Sequence, residues 1–295
     1  MRFSCRHTIV LIAVASFIAA AGAIPGCGGR QRKVERPTPP EARAEQRPAA
    51  PGDRVGLYDP GLAVFYLAGS NAPSKAVLQF RAGNRAAGLL PIAGDWDGDG
   101  QDTVGLYHSK TGQFYVSNTA GRSSPDAAFA FGEQSSEAHP VAGDWDGDGK
   151  TTIGLYHPST GTFALRNSLA KGEADIAVSF RPKDGSSVPI TGDWDVDGRT
   201  TIGLYSADRG TFFLENDLSG GSVDIAFRFG AERGDLVPVA GDWDGDGRDS
   251  IGLYDPENGV FFLRNLLSGG KADITFRFGP QDTADVPVAG NWPVK

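Results

Sequence analysis

The chain has 295 residues and a formal net charge of −8, with 28 Lys and Arg against 36 Asp and Glu. That balance excludes a nucleic-acid role, which needs clustered basic residues to neutralise phosphates. Cys5 and Cys27, its two cysteines, both lie near the start, so the rest of the chain has no disulfide, thiol nucleophile or cysteine-based zinc site.

Arg2 and Arg6 precede an uncharged apolar run from Ile9 to Ala23. This is the charged-then-apolar order of a secretory signal, and the run is too short for a comfortable membrane span. Ile24-Pro25-Gly26-Cys27 follows at once and resembles the lipobox of bacterial lipoproteins, with Pro25 departing from the small or aliphatic residue usual there. The resemblance implies a signal peptide over residues 1–26, acylation of Cys27 and export across a bacterial inner membrane. The protein would then be lipid-anchored at the cell envelope, on the outer membrane or surface, and meet the membrane only through that anchor. Residues 27–50 are rich in Pro, Arg and Glu with almost no aliphatics, so they are expected to be a disordered tether.

Beyond residue 50 the sequence repeats. Asp95, Asp144, Asp193 and Asp242 are each 49 residues apart, and Asn291 stands 49 beyond the last. Trp96, Trp145, Trp194, Trp243 and Trp292 keep the same spacing, as do Tyr58, Tyr107, Tyr156, Tyr205 and Tyr254 of the GLY triplets. Each unit reads as four short strands rich in Val, Ile, Phe and Tyr, divided by Gly, Pro, Asn and Asp. In the last full unit these are Val237–Trp243, Ser250–Asp255, Gly259–Asn265 and Ala272–Gly279. Four strands per unit of about 40–50 residues is the pattern of a β-propeller blade.

The chain enters at Arg54–Pro60, the second strand of a unit, and leaves at Val286–Trp292, a first strand. An all-β, five-bladed β-propeller over residues 51–295 follows, its ring closed by the C-terminal strand joining the N-terminal blade. That closure removes open sheet edges, which an open solenoid would leave frayed.

Within DWDGDGQDT, Asp95, Asp97 and Asp99 hold loop positions 1, 3 and 5, Gly100 holds 6, and Gln101 offers its carbonyl from 7. Alternate carboxylates on a tight loop, with a glycine at the bend, follow the ligand order of calcium loops built from hard oxygen donors. Strand-loop-strand repeats carrying this loop resemble the FG-GAP or VCBS repeats of integrin-α-type propellers and secreted bacterial proteins. The resemblance implies Ca2+ at Asp95, Asp97 and Asp99; Asp144, Asp146 and Asp148; Asp193, Asp195 and Asp197; and Asp242, Asp244 and Asp246. Lys150, Arg199 and Arg248 share the carbonyl position of Gln101. At position 9, where the family often has Asp, this chain has Thr103, Thr152, Thr201 and Ser250, so a hydroxyl or a water would fill that place. Weak affinities of about 10⁻⁴–10⁻³ M are expected, as in extracellular modules. The fifth loop lacks the triplet, so four sites are expected rather than five, and the seam residue Asp53 is expected to matter little. The alternative is that the loops are Asx-type turns whose acids bond backbone amides.

A catalytic acid–base pair should stand outside the repeat, because a reaction happens once. His108 and His157 share a repeat position, His139 reads as a surface residue, and no nucleophile elbow, phosphate loop, zinc motif or dinucleotide fingerprint occurs. No enzyme is expected. Trp96, Trp145, Trp194, Trp243 and Trp292 could stack on sugar rings as a multivalent lectin, or pack between blades, and strand position favours packing. Arg81, Arg181, Arg228 and Arg277 read as edge charges that discourage sheet-to-sheet pairing. The expectation is a monomeric, calcium-stabilised surface module that binds a glycan or an extracellular protein. A purely structural surface scaffold and a glycan-active hydrolase are the alternatives.

Overall fold

A computed structural model describes residues 51–295 except 84–87, 123, 133, 134, 136, 182–186, 282, 294 and 295. The expected signal peptide, the tether and Cys27 lie outside the described residues. Three strands open the fold, β1 (Arg54–Asp59), β2 (Val64–Ala68) and β3 (Ala76–Arg81). Next come β4 (Leu89–Gly94), β5 (Thr103–His108), β6 (Gln113–Val116) and β7 (Ala127–Ala130), then β8 (His139–Gly143), β9 (Thr152–His157), β10 (Thr162–Arg166) and β11 (Ile176–Ser179). The fourth group is β12 (Ser187–Gly192), β13 (Thr201–Ser206), β14 (Thr211–Leu214) and β15 (Ile225–Arg228), with a 3-10 turn at Ala207–Arg209. β16 (Val237–Gly241), β17 (Ser250–Asp255), β18 (Val260–Arg264) and β19 (Ile274–Arg277) precede the final strand, β20 (Val286–Gly290).

These make five antiparallel four-stranded sheets. Blade 1 is β20-β1-β2-β3, so the last strand pairs with the first, with Gly56 opposite Val288. Blades 2 to 5 are β4–β7, β8–β11, β12–β15 and β16–β19. The leading strands β4, β8, β12, β16 and β20 lie side by side in a closed circuit, which makes the fold a five-bladed β-propeller.

Burial follows position in the blade. The GLY-bearing strands β5, β9, β13 and β17 are buried almost continuously, because a neighbouring blade covers each face. Outer strands such as β3 alternate between half-buried and exposed. In every blade the GLY tyrosine meets a phenylalanine of the next strand at a ring separation of 4.6 Å, from Tyr58–Phe65 to Tyr254–Phe261. The glycine of GLY is dictated by close approach. A Cβ on Gly154 would lie 2.6 Å from Leu165 Cδ2, and one on Gly203 would lie 2.6 Å from Leu214 Cδ2. Arg81, Arg228 and Arg277 end their outer strands, Arg181 lies just beyond β11, and all four are exposed.

Candidate functional site

The acidic loops follow the inner strands and are wound about their first aspartate. Asp95 Oδ1 accepts the amides of Gly98 at 2.8 Å and Asp99 at 3.0 Å, and its Oδ2 accepts Gly100 at 2.7 Å. Asp144, Asp193 and Asp242 gather the equivalent amides in their own loops. So tight a turn forces left-handed backbone at positions 4 and 6, supplied by Gly98 (φ 79°) and Gly100 (φ 84°). The third loop departs from this, since Val196 occupies position 4 at φ 67°, where a β-branched side chain is strained.

The turn-like alternative therefore describes position 1 and also position 5, and at position 3 Asp195 accepts the amide of Asp197 at 3.3 Å, yet it does not account for the convergence of all three acids. In each of the four loops one oxygen from each of the three carboxylates lies within 4.8 Å of the others. Three amides occupy three of the roughly four lone-pair sites on Asp95, leaving one acceptor site. The donors are hard oxygens, two of the three acids in each loop are exposed, and like charges this close repel without a cation. The residues present fit a calcium ion. Burial raises the carboxyls of Asp193 and Asp244 above the ordinary aspartate range, with neighbouring loop acids adding to the effect.

The other predicted ligands divide. Gln101, Lys150, Arg199 and Arg248 return their amides to the position 5 carboxylates at 2.8–2.9 Å, fixing the loop from within. The side chains of Lys150 and Arg199 also lie over the glycines of the preceding loops, Gly98 and Gly147. Position 9 needs correction, because its residues are buried and turned into the blade. Thr152, Thr201 and Ser250 donate their hydroxyls to the carbonyls of Gly143, Gly192 and Gly241, and Thr103 donates to Ser117.

The tryptophans need the same correction. Trp96, Trp145, Trp194, Trp243 and Trp292 are only 1–5% exposed and sit in the apolar cores, so they have no open face for a sugar. Trp145 and Trp243 donate their indole N–H to Ile153 and Ile251. His139 is half-buried at the start of β8, and burial lowers its imidazole pKa.

Sequence reasoning missed a ring of interblade latches at loop position 8. The amides of Asp95 and Asp144 donate to the hydroxyls of Thr151 and Thr200 in the next blade at 3.0 and 2.9 Å. Those of Asp193, Asp242 and Asn291 donate to the carboxylates of Asp249, Asp53 and Asp102 at 2.7–2.9 Å. Each latch residue also returns its own amide to the carbonyl of the residue it holds. The expectation that Asp53 matters little is therefore overturned, since it ties blade 5 to blade 1 through Asp242. The signal was present in the sequence: Asp53 stands one period before Asp102. Burial pushes the carboxyl of Asp102 up to about 6 and that of Asp249 up to about 7. Asp53 is raised well above the ordinary range, first by burial and then by the charges of Asp102 and Asp249.

The chain matches no protein-family profile and no curated protein. Among solved structures it is similar to a crystal structure of BBS1N in complex with ARL6DN, soaked with mercury, at 8% identity and a TM-score of 0.37. The match covers 66% of this chain and 58% of that one, so this chain spans less than two thirds of its neighbour's length.

Proposed function

We propose that this propeller is a non-enzymatic binding module whose four acidic loops hold calcium. The metal would supply the charge that lets three carboxylates share one loop, and so stiffen the face on which the loops lie. The observation that supports this reading is the convergence of the acid triplet, repeated at four corresponding places. Asp95, Asp97 and Asp99, with their three sets of counterparts, would provide the carboxylate ligands.

The partner in this reading is an extracellular protein met at the loop face. Burial of the five tryptophans removes the stacking surfaces that motivated a glycan. Acylation of Cys27 would place the module at the cell envelope; Cys27→Ser should then release the protein from the membrane fraction, and persistent membrane association would contradict that part.

Thermal unfolding tests the metal reading. Calcium is expected to raise the melting temperature and protease resistance, and chelation to reverse both. Asp97→Asn should remove part of the gain, because it deletes one ligand charge while leaving the amide contacts of Asp95 in place. Unfolding indifferent to calcium would defeat the proposal.

A further inference from the structure

Four blades carry a phenylalanine just beyond the outer strand at one repeat position, Phe131, Phe180, Phe229 and Phe278, each 2–4% exposed. Each wedges into the core shared with the next blade. Phe131 shares a core with Ile153 and Leu155, Phe180 with Ile202 and Leu204, Phe229 with Ile251 and Leu253, and Phe278 with Val55 and Leu57. In blade 1 this position is Ala82.

The loop side of the same boundary is also lightly filled, at a repeat position that varies from Ala68 through Ser117, Arg166 and Glu215 to Arg264. Arg166 and Arg264 fold under the loops that follow β10 and β18, donating to the carbonyls of Ala170 and Glu173, and of Ser268 and Lys271. Their counterpart in blade 2 is the much shorter Ser117. Between blades 1 and 2 lies a cavity of about 420 Å³, lined by Phe65, Phe80, Ala82, Leu106, Tyr115 and Ser117 among others. That volume falls within the roughly 300–1,000 Å³ of small-molecule pockets and exceeds what one missing ring would leave.

Blades 2 and 4 show what fits there. Phe114 stacks on Phe129 at 6.0 Å and meets the wedge Phe131 at 6.4 Å, tilted by 54°. Phe212 meets Phe227 at 5.7 Å and the wedge Phe229 at 6.4 Å, tilted by 45°. Blade 1 keeps the first pair, Phe65 and Phe80 at 5.7 Å, but has no third ring. We propose that the cavity between blades 1 and 2 binds a small molecule with a planar aromatic ring, which takes the place of the absent phenylalanine.

The rim narrows the class further. Arg122 at the mouth is already ion-paired with Asp126, so an anionic substituent would have to compete for it. His108 and Thr111, also lining the cavity, are bonded to each other at 2.8 Å. A neutral aromatic ring suits an apolar floor whose polar neighbours Arg122, His108 and Thr111 are already engaged. The cavity shares no residue with the acidic loops, so failure of the calcium reading would leave this one standing.

The test uses 4-bromophenol and the full chain. Calorimetric titration should show one saturable site, and the bromine anomalous signal of a soaked crystal should lie between Phe65 and Leu106. Ala82→Phe, which restores the wedge of the other blades, should fold at least as stably and bind at least about tenfold more weakly. Should Ala82→Phe fail to fold, Ser117→Arg closes the cavity from the loop side and must weaken binding to the same extent. Absence of saturable binding, bromine found only elsewhere, or undiminished binding by a folded cavity-filling variant would overturn the proposal.

Discussion

The boundary between blades 2 and 3 and that between blades 1 and 2 are built from corresponding strands, yet they are finished differently. At the first, Phe131 fills the interblade core, Arg166 fills the loop above it, and the acid triplet of Asp95 is latched by Thr151. At the second, Ala82 and Ser117 leave a cavity, and the triplet is replaced by Asn291, latched by Asp102. A repeat that tolerates no insertion over five units departs from two otherwise constant columns around one boundary, with Ala82 in place of phenylalanine and Asn291 in place of aspartate. The backbone latch survives there and only the filling is lost, which separates what closes the ring from what packs it.

The comparison can be broken most severely by making the filled boundary resemble the open one. Phe131→Ala should cost about 3–5 kcal/mol, as for a large buried aromatic in a site that cannot collapse, read by chemical denaturation. A much smaller loss would mean that the wedge is not what holds blades 2 and 3 together.

Next in size is the latch. Asp53→Ala removes the acceptor of the Asp242 amide and should cost about 1–3 kcal/mol, with faster hydrogen exchange at that amide. Asp53→Thr should recover most of the loss, because Thr151 and Thr200 make the same contact at two other boundaries. Equal stability of Asp53→Ala and the parent chain would remove the latch from the account.

A smaller change sharpens the contrast between departures that are used and one that only strains. Val196→Gly relieves left-handed backbone at a half-exposed position and should stabilise by about 1 kcal/mol, seen as a raised melting temperature. A destabilised variant would show that the isopropyl group makes a contact worth more than the strain.

The latch acids predict a pH effect with a definite sign. Asp102 and Asp249 titrate higher in the fold than an unfolded aspartate near 4, so the folded chain binds more protons between those values. Their contribution is fully present below about pH 4 and is lost as pH rises through about 6 to 7. In chelator, melting temperature should therefore fall over that interval, and calcium in the adjoining loops should flatten the fall by favouring ionised carboxylates. A rise in chelator would contradict the burial of these groups.

Much of this is legible in the sequence. The 49-residue period passes without a gap, so strand number, blade number and the closing pair of β20 with β1 followed from spacing alone. The acid triplets were legible too, because positions 1, 3 and 5 are what a ligand pattern examines. Asp53 was misjudged because it belongs to position 8, whose partner lies across a blade boundary and 189 residues away. The hydroxyls at position 9 were misplaced because only the strand pleat decides whether Thr152 faces the loop or the blade. Ala82 was overlooked for another reason: a small residue in a column of phenylalanines reads as ordinary variation until the neighbouring blade is seen to leave the space empty.

The central proposal is that each of four loops, but not the fifth, holds one calcium ion. Calorimetric titration of chelator-stripped protein tests it most directly. The account predicts about four weak calcium sites per chain, near 10⁻⁴–10⁻³ M, falling by one in Asp97→Asn and unchanged in Asn291→Ala. No saturable calcium binding, or a stoichiometry that Asp97→Asn leaves intact, would contradict it.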